Sequence, residues 1–152
     1  MRRLLFEPAF PIDARIRRVT VDGSPAKYEI ARAGDVQRAR VVVDAAHPTT
    51  EVAFIYDEGT DVFVEPRAIR TGAANDGLRL LRVRPENGAL HLTAEGRAGR
   101  AYTIIVRTPH RLGAAEGIAV VEPNGRDQRV EIRFNASTDE YVRRQIAIPF
   151  VR

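Results

Sequence analysis

Apolar and polar residues alternate along most of this chain, and the period is two. In "ARVVVDA" Ala39, Val41 and Val43 fall on one face, with Arg40 and Val42 on the other. "ALHLTAEG" sets Leu90, Leu92 and Ala94 against His91, Thr93 and Glu95. "AYTIIVR" sets Tyr102, Ile104 and Val106 against Thr103, Ile105 and Arg107. "RVEIRFN" turns Val130, Ile132 and Phe134 inward, and "RQIAIPF" turns in Ile146, Ile148 and Phe150. Successive side chains of a strand point to opposite faces, so this alternation predicts antiparallel sheet with one face wetted.

The punctuation between these runs agrees. "VDGSP" (21–25), "DEGTD" (57–61), "PENG" (85–88), "EGRAG" (95–99) and "PNGRD" (123–127) are turn clusters at short intervals. Asn and Asp tolerate positive φ and Gly takes it freely, so Asn87-Gly88 and Asn124-Gly125 suit tight hairpins. About eleven strands result, more than the ~7 of a minimal immunoglobulin-type sandwich. "HRLGAAEGI" (110–118) is the one stretch that admits a turn of helix, limited by Gly113 and Gly117. The expected fold is therefore all-β, an antiparallel two-sheet β-sandwich with little or no helix.

Alternation fails at "EPRAIRTGAANDG" (65–77), which reads as a crossover between sheets or as a linker. A single domain over residues 1–152 is the expected organisation. The alternative is two small β modules, 1–66 and 77–152, joined by 67–76. A chain of 152 residues can hide a sizeable core without covalent staples.

Composition removes several chemistries. There is no cysteine, so disulfides, thiolate metal sites and cysteine nucleophiles are excluded. No run nears the ~20 apolar residues of a membrane span. The opening "MRRLLFEPAFP" breaks its apolar stretch at Glu7, Pro8 and Pro11, short of a signal-peptide core. A soluble protein with no export signal is expected, and a cysteine-free chain fits the cytoplasm.

The net charge is +4 and almost all of the positive charge is arginine, Lys27 being the single lysine. Acids are interleaved with the arginines, as in "RDQRVEIRF", which describes a self-compensating surface rather than a nucleic-acid face. Neither nucleic acid nor membrane is expected as a partner.

Candidate chemistry is sparse. His47, His91 and His110 lack zinc-ligand spacing, and H-E-x-x-H is absent. "YDEGTDVFVE" gathers Asp57, Glu58 and Asp61 about a glycine. Calcium favours converging oxygens of this kind, but acids at a hairpin are also ordinary turn residues. Ser24 and Ser137 sit in no nucleophile elbow, and no phosphate-binding glycine loop occurs. No metal, no cofactor and no catalytic residue is therefore assigned. With no tryptophan, sugar stacking falls to the four tyrosines. Tyr102 shares the core face, whereas Tyr28, Tyr56 and Tyr141 lie near strand ends. Binding groups favour loops on a rigid scaffold, which selects Tyr56 to Asp61 and His110 to Glu116. The ligand-contacting candidates are accordingly Tyr28, Tyr56, Asp57, Asp61 and His110.

Three stretches read together carry a resemblance. "LLFEPAFPIDARIRRVTVDGSPAKYEI" has an F-x-P-x-x-P opening followed by a strand ending in "VDG". "TEVAFIYDEGTDV" runs from an alternating strand into an acidic glycine turn, and "GLRLLRVRPENGALHLTAEGRAGRAYTIIVRTP" is a hairpin followed by "EGRAGRAY". This arrangement resembles the C-terminal β-sandwich region that follows the helical-barrel catalytic domain of bacterial glycogen-debranching-like and glucoamylase-like glycoside hydrolases. The resemblance implies an accessory, non-catalytic role. Such a region packs on the catalytic domain of a larger enzyme and helps position polysaccharide, while the catalytic carboxylates lie in that other domain. The residues alone leave a second reading open, an assembly module that pairs with another protein through a sheet edge.

Overall fold

A computed structural model describes residues 3–44, 48–65, 77–122, 125–135 and 140–151. His47 and most of the expected crossover lie outside them, as do Asn124 and Ser137. Every regular element among the described residues is a β-strand, and all the pairings are antiparallel. The strands build several sheets, none closed into a barrel. No helix among the described residues is long and apolar enough to cross a membrane.

The chain groups into two compact units, Met1–Gly59 and Thr60–Arg152. The first contains β1 (Arg3–Phe6), β2 (Ala9–Pro11), β3 (Arg15–Val21), β4 (Ser24–Pro25), β5 (Tyr28–Ala33), β6 (Val36–Asp44) and β7 (Val52–Asp57). β6 is the spine of one sheet, pairing with β1 and β2 along one edge and with β5 along the other. β3 pairs with β4 and β7 in a second sheet. Along β6 the alternation is complete: Gln37, Ala39, Val41 and Val43 are buried, and Arg38, Arg40, Val42 and Asp44 are exposed.

Apolar packing in this unit forms two small clusters. Val19, Val41 and Val43 make one, flanked by half-buried Ile16, Val52 and Phe54. Phe10, Ala14 and Ala39 make the other. Gln37 is buried because its side-chain amide donates to the carbonyls of Pro11 and Ala14, tying down the β2–β3 turn. A buried amide is tolerated only when it is bonded in this way.

The second unit contains β8 (Asp61–Val64), β9 (Arg79–Glu86), β10 (Ala89–Arg97), β11 (Arg100–Arg107), β12 (Arg111–Leu112), β13 (Ile118–Glu122), β14 (Asp127–Phe134) and β15 (Tyr141–Val151). Its two sheets have the orders β12-β15-β10-β9 and β13-β14-β11-β8. Both contribute to one core cluster. Leu90, Leu92, Ile146 and Ile148 come from the first sheet; Ile104, Val130, Ile132 and Phe134 come from the second. Each such side chain contributes roughly 1.5–3 kcal/mol when fully withdrawn from water.

The Asn87-Gly88 turn joins β9 to β10 with φ of 51° and 75°, the left-handed pair a two-residue hairpin requires. Tyr102 is 3% exposed, and its hydroxyl accepts from the Arg97 N–H at 2.9 Å. The ring stands edge-on to Phe134 at 5.7 Å. Gly96 lies beneath both rings, where an added Cβ would come 2.6 Å from the Phe134 ring and 2.8 Å from that of Tyr102.

Fifteen strands are present among the described residues, against about eleven expected. The surplus is short: β2, β4 and β12 span two or three residues, too few for alternation to register. The stretch that admits a helical turn forms β12 followed by a tight turn, in which the Ile118 N–H reaches the Ala115 carbonyl at 3.1 Å. Gln128 captures this segment, accepting from Leu112 N–H at 3.0 Å and donating to the His110 carbonyl at 2.7 Å.

Candidate functional site

The five residues selected for ligand contact fall in different settings. Tyr28, at the start of β5, is half-buried and donates its hydroxyl to the Ile16 carbonyl at 3.2 Å. Ile16 is in turn the register partner of Tyr56. Tyr28 is therefore held between the two sheets of the first unit and also lines an open depression of about 1120 Å³. Tyr56 is 41% exposed, and its ring meets Phe10 edge-on at 5.0 Å. One tyrosine is fixed by structure; the other offers a ring to solvent.

Asp57 accepts a 2.7 Å bond from the Arg17 Nε, and this bond holds its carboxyl below the usual aspartate range, helped by the charges of Arg17 and Arg15. Asp61, in the second unit, accepts from the Val62 N–H at 2.8 Å. No group of three His, Cys, Asp or Glu among the described residues is placed to hold a metal ion.

His110 is exposed and stacks on Phe150 at 4.5 Å, beside the sheet that carries β12 and β15. Asp61 belongs to the opposite sheet of the same unit, on β8. The other tyrosines are structural in their contacts. The Tyr141 hydroxyl reaches the Gly77 carbonyl at 3.2 Å, under the guanidinium of Arg79.

Both units expose large apolar side chains, the first unit more of them for its length. All of β1 is exposed, with Leu4 at 56% and Leu5 at 62%. Leu5 lies opposite Val42, itself 60% exposed, so the two form an apolar row on the outer face of the β6 sheet. That row borders the Tyr28 depression, whose rim carries Lys27, Glu29, Arg40 and Asp44.

Elsewhere arginines are mostly matched to acids. Arg107 grips Asp127 with two bonds of 2.7 and 2.8 Å, which hold that carboxyl below its usual range. Arg143 bonds Glu95 at 2.7 Å, Arg129 reaches Glu65 at 2.9 Å, and Arg133 meets Glu131 at 2.8 Å. These exposed pairs each contribute little to stability.

One grouping differs, and the chain pattern alone does not single it out. The outer face of β9, β10 and β15 brings together Arg82, Arg84, His91, Thr93 and Gln145 around a depression of about 330 Å³. His91 lies opposite Arg84 and Thr93 opposite Arg82, while Gln145 flanks Thr93 from β15. The signal that finds half of it is the Asn87-Gly88 turn. Counting outward from a two-residue hairpin pairs 86 with 89, 84 with 91 and 82 with 93. The neighbour β15 comes from some fifty residues away and has no such local signal.

Comparison with known proteins finds no matching family model, no similar curated protein and no similar solved structure.

Proposed function

We propose that this chain is a non-catalytic β-sandwich accessory region of a carbohydrate-active enzyme, supporting a catalytic domain and making weak polysaccharide contact. The observation that carries the reading is the apolar surface of the first unit. Leu5 of β1 and Val42 of β6 are exposed side by side on the outer face of a well-formed sheet, and Leu4 and Phe6 are exposed at its edge on the other face. Apolar side chains left exposed on both faces of an edge strand are suited to cover by another protein surface. The exposed ring of Tyr56 is the group suited to stacking on a sugar, with Tyr28 lining the neighbouring depression.

The test is retention of the purified chain on insoluble α-glucan at low and high salt, with product analysis of the same incubation. The expected result is weak retention that survives salt, falls in Tyr56→Ala, and is accompanied by no release of reducing ends. Release of sugar by the pure chain overturns the non-catalytic part. Equal retention of wild type and Tyr56→Ala overturns the assignment of the contact to Tyr56.

A second reading has its own observation. β5 pairs only with β6 among the described residues, so its other edge is open and Ile30 on it is 45% exposed. Such an edge is suited to strand addition by a protein partner or a second copy. Concentration-dependent self-association without glucan retention, abolished by Ile30→Lys, favours this reading.

A further inference from the structure

The grouping on the outer face of β9, β10 and β15 lies in the second unit and shares no residue with the reading above. We propose that it is a binding site for a single tetrahedral oxyanion, the phosphate or sulfate group of a small ligand. Its polar lining supplies mainly donors. Arg82 presents its guanidinium fork from β9, beside Arg84, which already has a partner of its own and adds positive charge; His91 offers an imidazole N–H, Thr93 a hydroxyl and Gln145 an amide. Guanidinium geometry matches two oxygens of such an anion at once, which a lysine at the same positions would not do. The side chains stand at adjacent register positions, Arg82 across from Thr93 and Arg84 across from His91. Arg82 has no ion-pair partner among the described residues, unlike Arg143 and Arg79 on the same face, which both engage Glu95.

The acids of this face define the kind of anion. Glu86 lines one end of the depression, and Glu95 lies beyond Thr93 at the other, already shared by Arg79 and Arg143. A polyanion running along the strands would meet both carboxylates. A discrete anion between them meets only the cationic and neutral donors. The depression of about 330 Å³ has room for a phosphate with a small attached ring.

The experiment is titration of the whole chain at low ionic strength with inorganic phosphate, inorganic sulfate and a hexose phosphate, followed by calorimetry and by the amide signals of β9, β10 and β15. Saturable one-to-one binding is expected, shifting the amides of residues 82–84 and 91–93. Arg82→Gln removes an exposed side chain and leaves the fold intact. It should weaken binding about tenfold, the size of one lost charge-assisted hydrogen bond. Arg97→Gln, on the same face outside the depression, should leave binding unchanged. No saturable binding by any of the three anions overturns the proposal, as does binding indifferent to Arg82→Gln. A single-stranded oligonucleotide or heparin that binds far more tightly, with Arg97→Gln as damaging as Arg82→Gln, also overturns it and makes the whole face a polyanion surface.

Discussion

The two units solve the same problem at different sizes. The second has one continuous core, from Leu78 to Ile148, in which Leu90, Ile104, Val106, Val130, Ile132, Phe134 and Ile148 are wholly inaccessible. The first divides its buried apolar residues between two clusters of three. It also leaves Leu4, Leu5, Phe6, Ile30, Val42 and Ile55 exposed. A chain segment of about 60 residues hides only ~60% of the surface its unfolded form exposes, so a small unit has few positions that are enclosed on every side. The difference teaches that apolar residues in the first unit are not all recruited to its own core. The larger unit gathers its apolar residues into one core and still exposes Phe63, Val64, Leu81, Val121 and Val151; the smaller encloses fewer in proportion to what it exposes.

The hardest way to break this contrast is truncation of the largest buried side chains. Phe134→Ala should cost ~3–5 kcal/mol, because the ring is fully enclosed and Tyr102 and Gly96 pack against it. Phe10→Ala should cost no more than the low end of that range, since Phe10 sits at the rim of a three-residue cluster at 9% exposure. Urea denaturation of both variants measures the two costs. Equal losses would mean that the first unit's divided core is as cohesive as the second unit's single one.

The next effect comes from adding an atom. Gly96→Ala forces a methyl group into the Phe134 and Tyr102 rings, and overpacking of this kind costs ~1–3 kcal/mol. A shifted near-ultraviolet signal from Tyr102, with a lowered urea midpoint, is the expected reading. An unchanged midpoint would show that the rings can move apart, and that the second core is looser than its burial implies.

How much of this was legible in the chain depends on how local the cause is. The faces of Ala39, Val41 and Val43, of Leu90, Leu92 and Ala94, and of Tyr102, Ile104 and Val106 emerge as alternation requires, since a period of two leaves each strand one way to bury its apolar side. Asn87-Gly88 was legible for the same reason: a turn type is a property of two residues. β1 was not, because Leu4, Leu5 and Phe6 are apolar on both faces and yet exposed. β9 resists for another reason. A bulge opposite Thr93 and Ala94 interrupts its alternation near Leu81. The grouping of Arg82, Arg84 and His91 with Gln145 depends on β15 lying beside β10, a fact of topology that no window of sequence contains.

A smaller effect sharpens the contrast at the surface. Leu5→Thr combined with Val42→Thr, which keeps strand-compatible side chains at this cross-strand pair, should change stability by no more than ~0.5 kcal/mol, as substitutions outside the core do. A loss comparable to that of Phe10→Ala would place these residues in a folding core instead, and would remove the argument that they are kept for a partner.

The smallest effect is one on which the two units should agree. Arg17–Asp57 in the first and Arg107–Asp127 in the second are exposed pairs of the same design, and in each the arginine's hydrogen bond lowers the carboxyl pKa. A depressed folded pKa stabilises the fold fully above the unfolded aspartate value of about 3.9, and that contribution disappears as pH falls through the folded pKa. Both carboxyls should therefore titrate below that value when followed by carbon NMR. Arg17→Gln should return Asp57 to the ordinary range and leave Asp127 unmoved, with only a slight loss of stability at neutral pH because the pair is open to solvent. Retention of a low Asp57 value in Arg17→Gln would shift the cause to Arg15, whose charge also acts on that carboxyl. Asp127 has a matching second cation in Arg126, so the same substitution at Arg107 would show whether the two units share that arrangement.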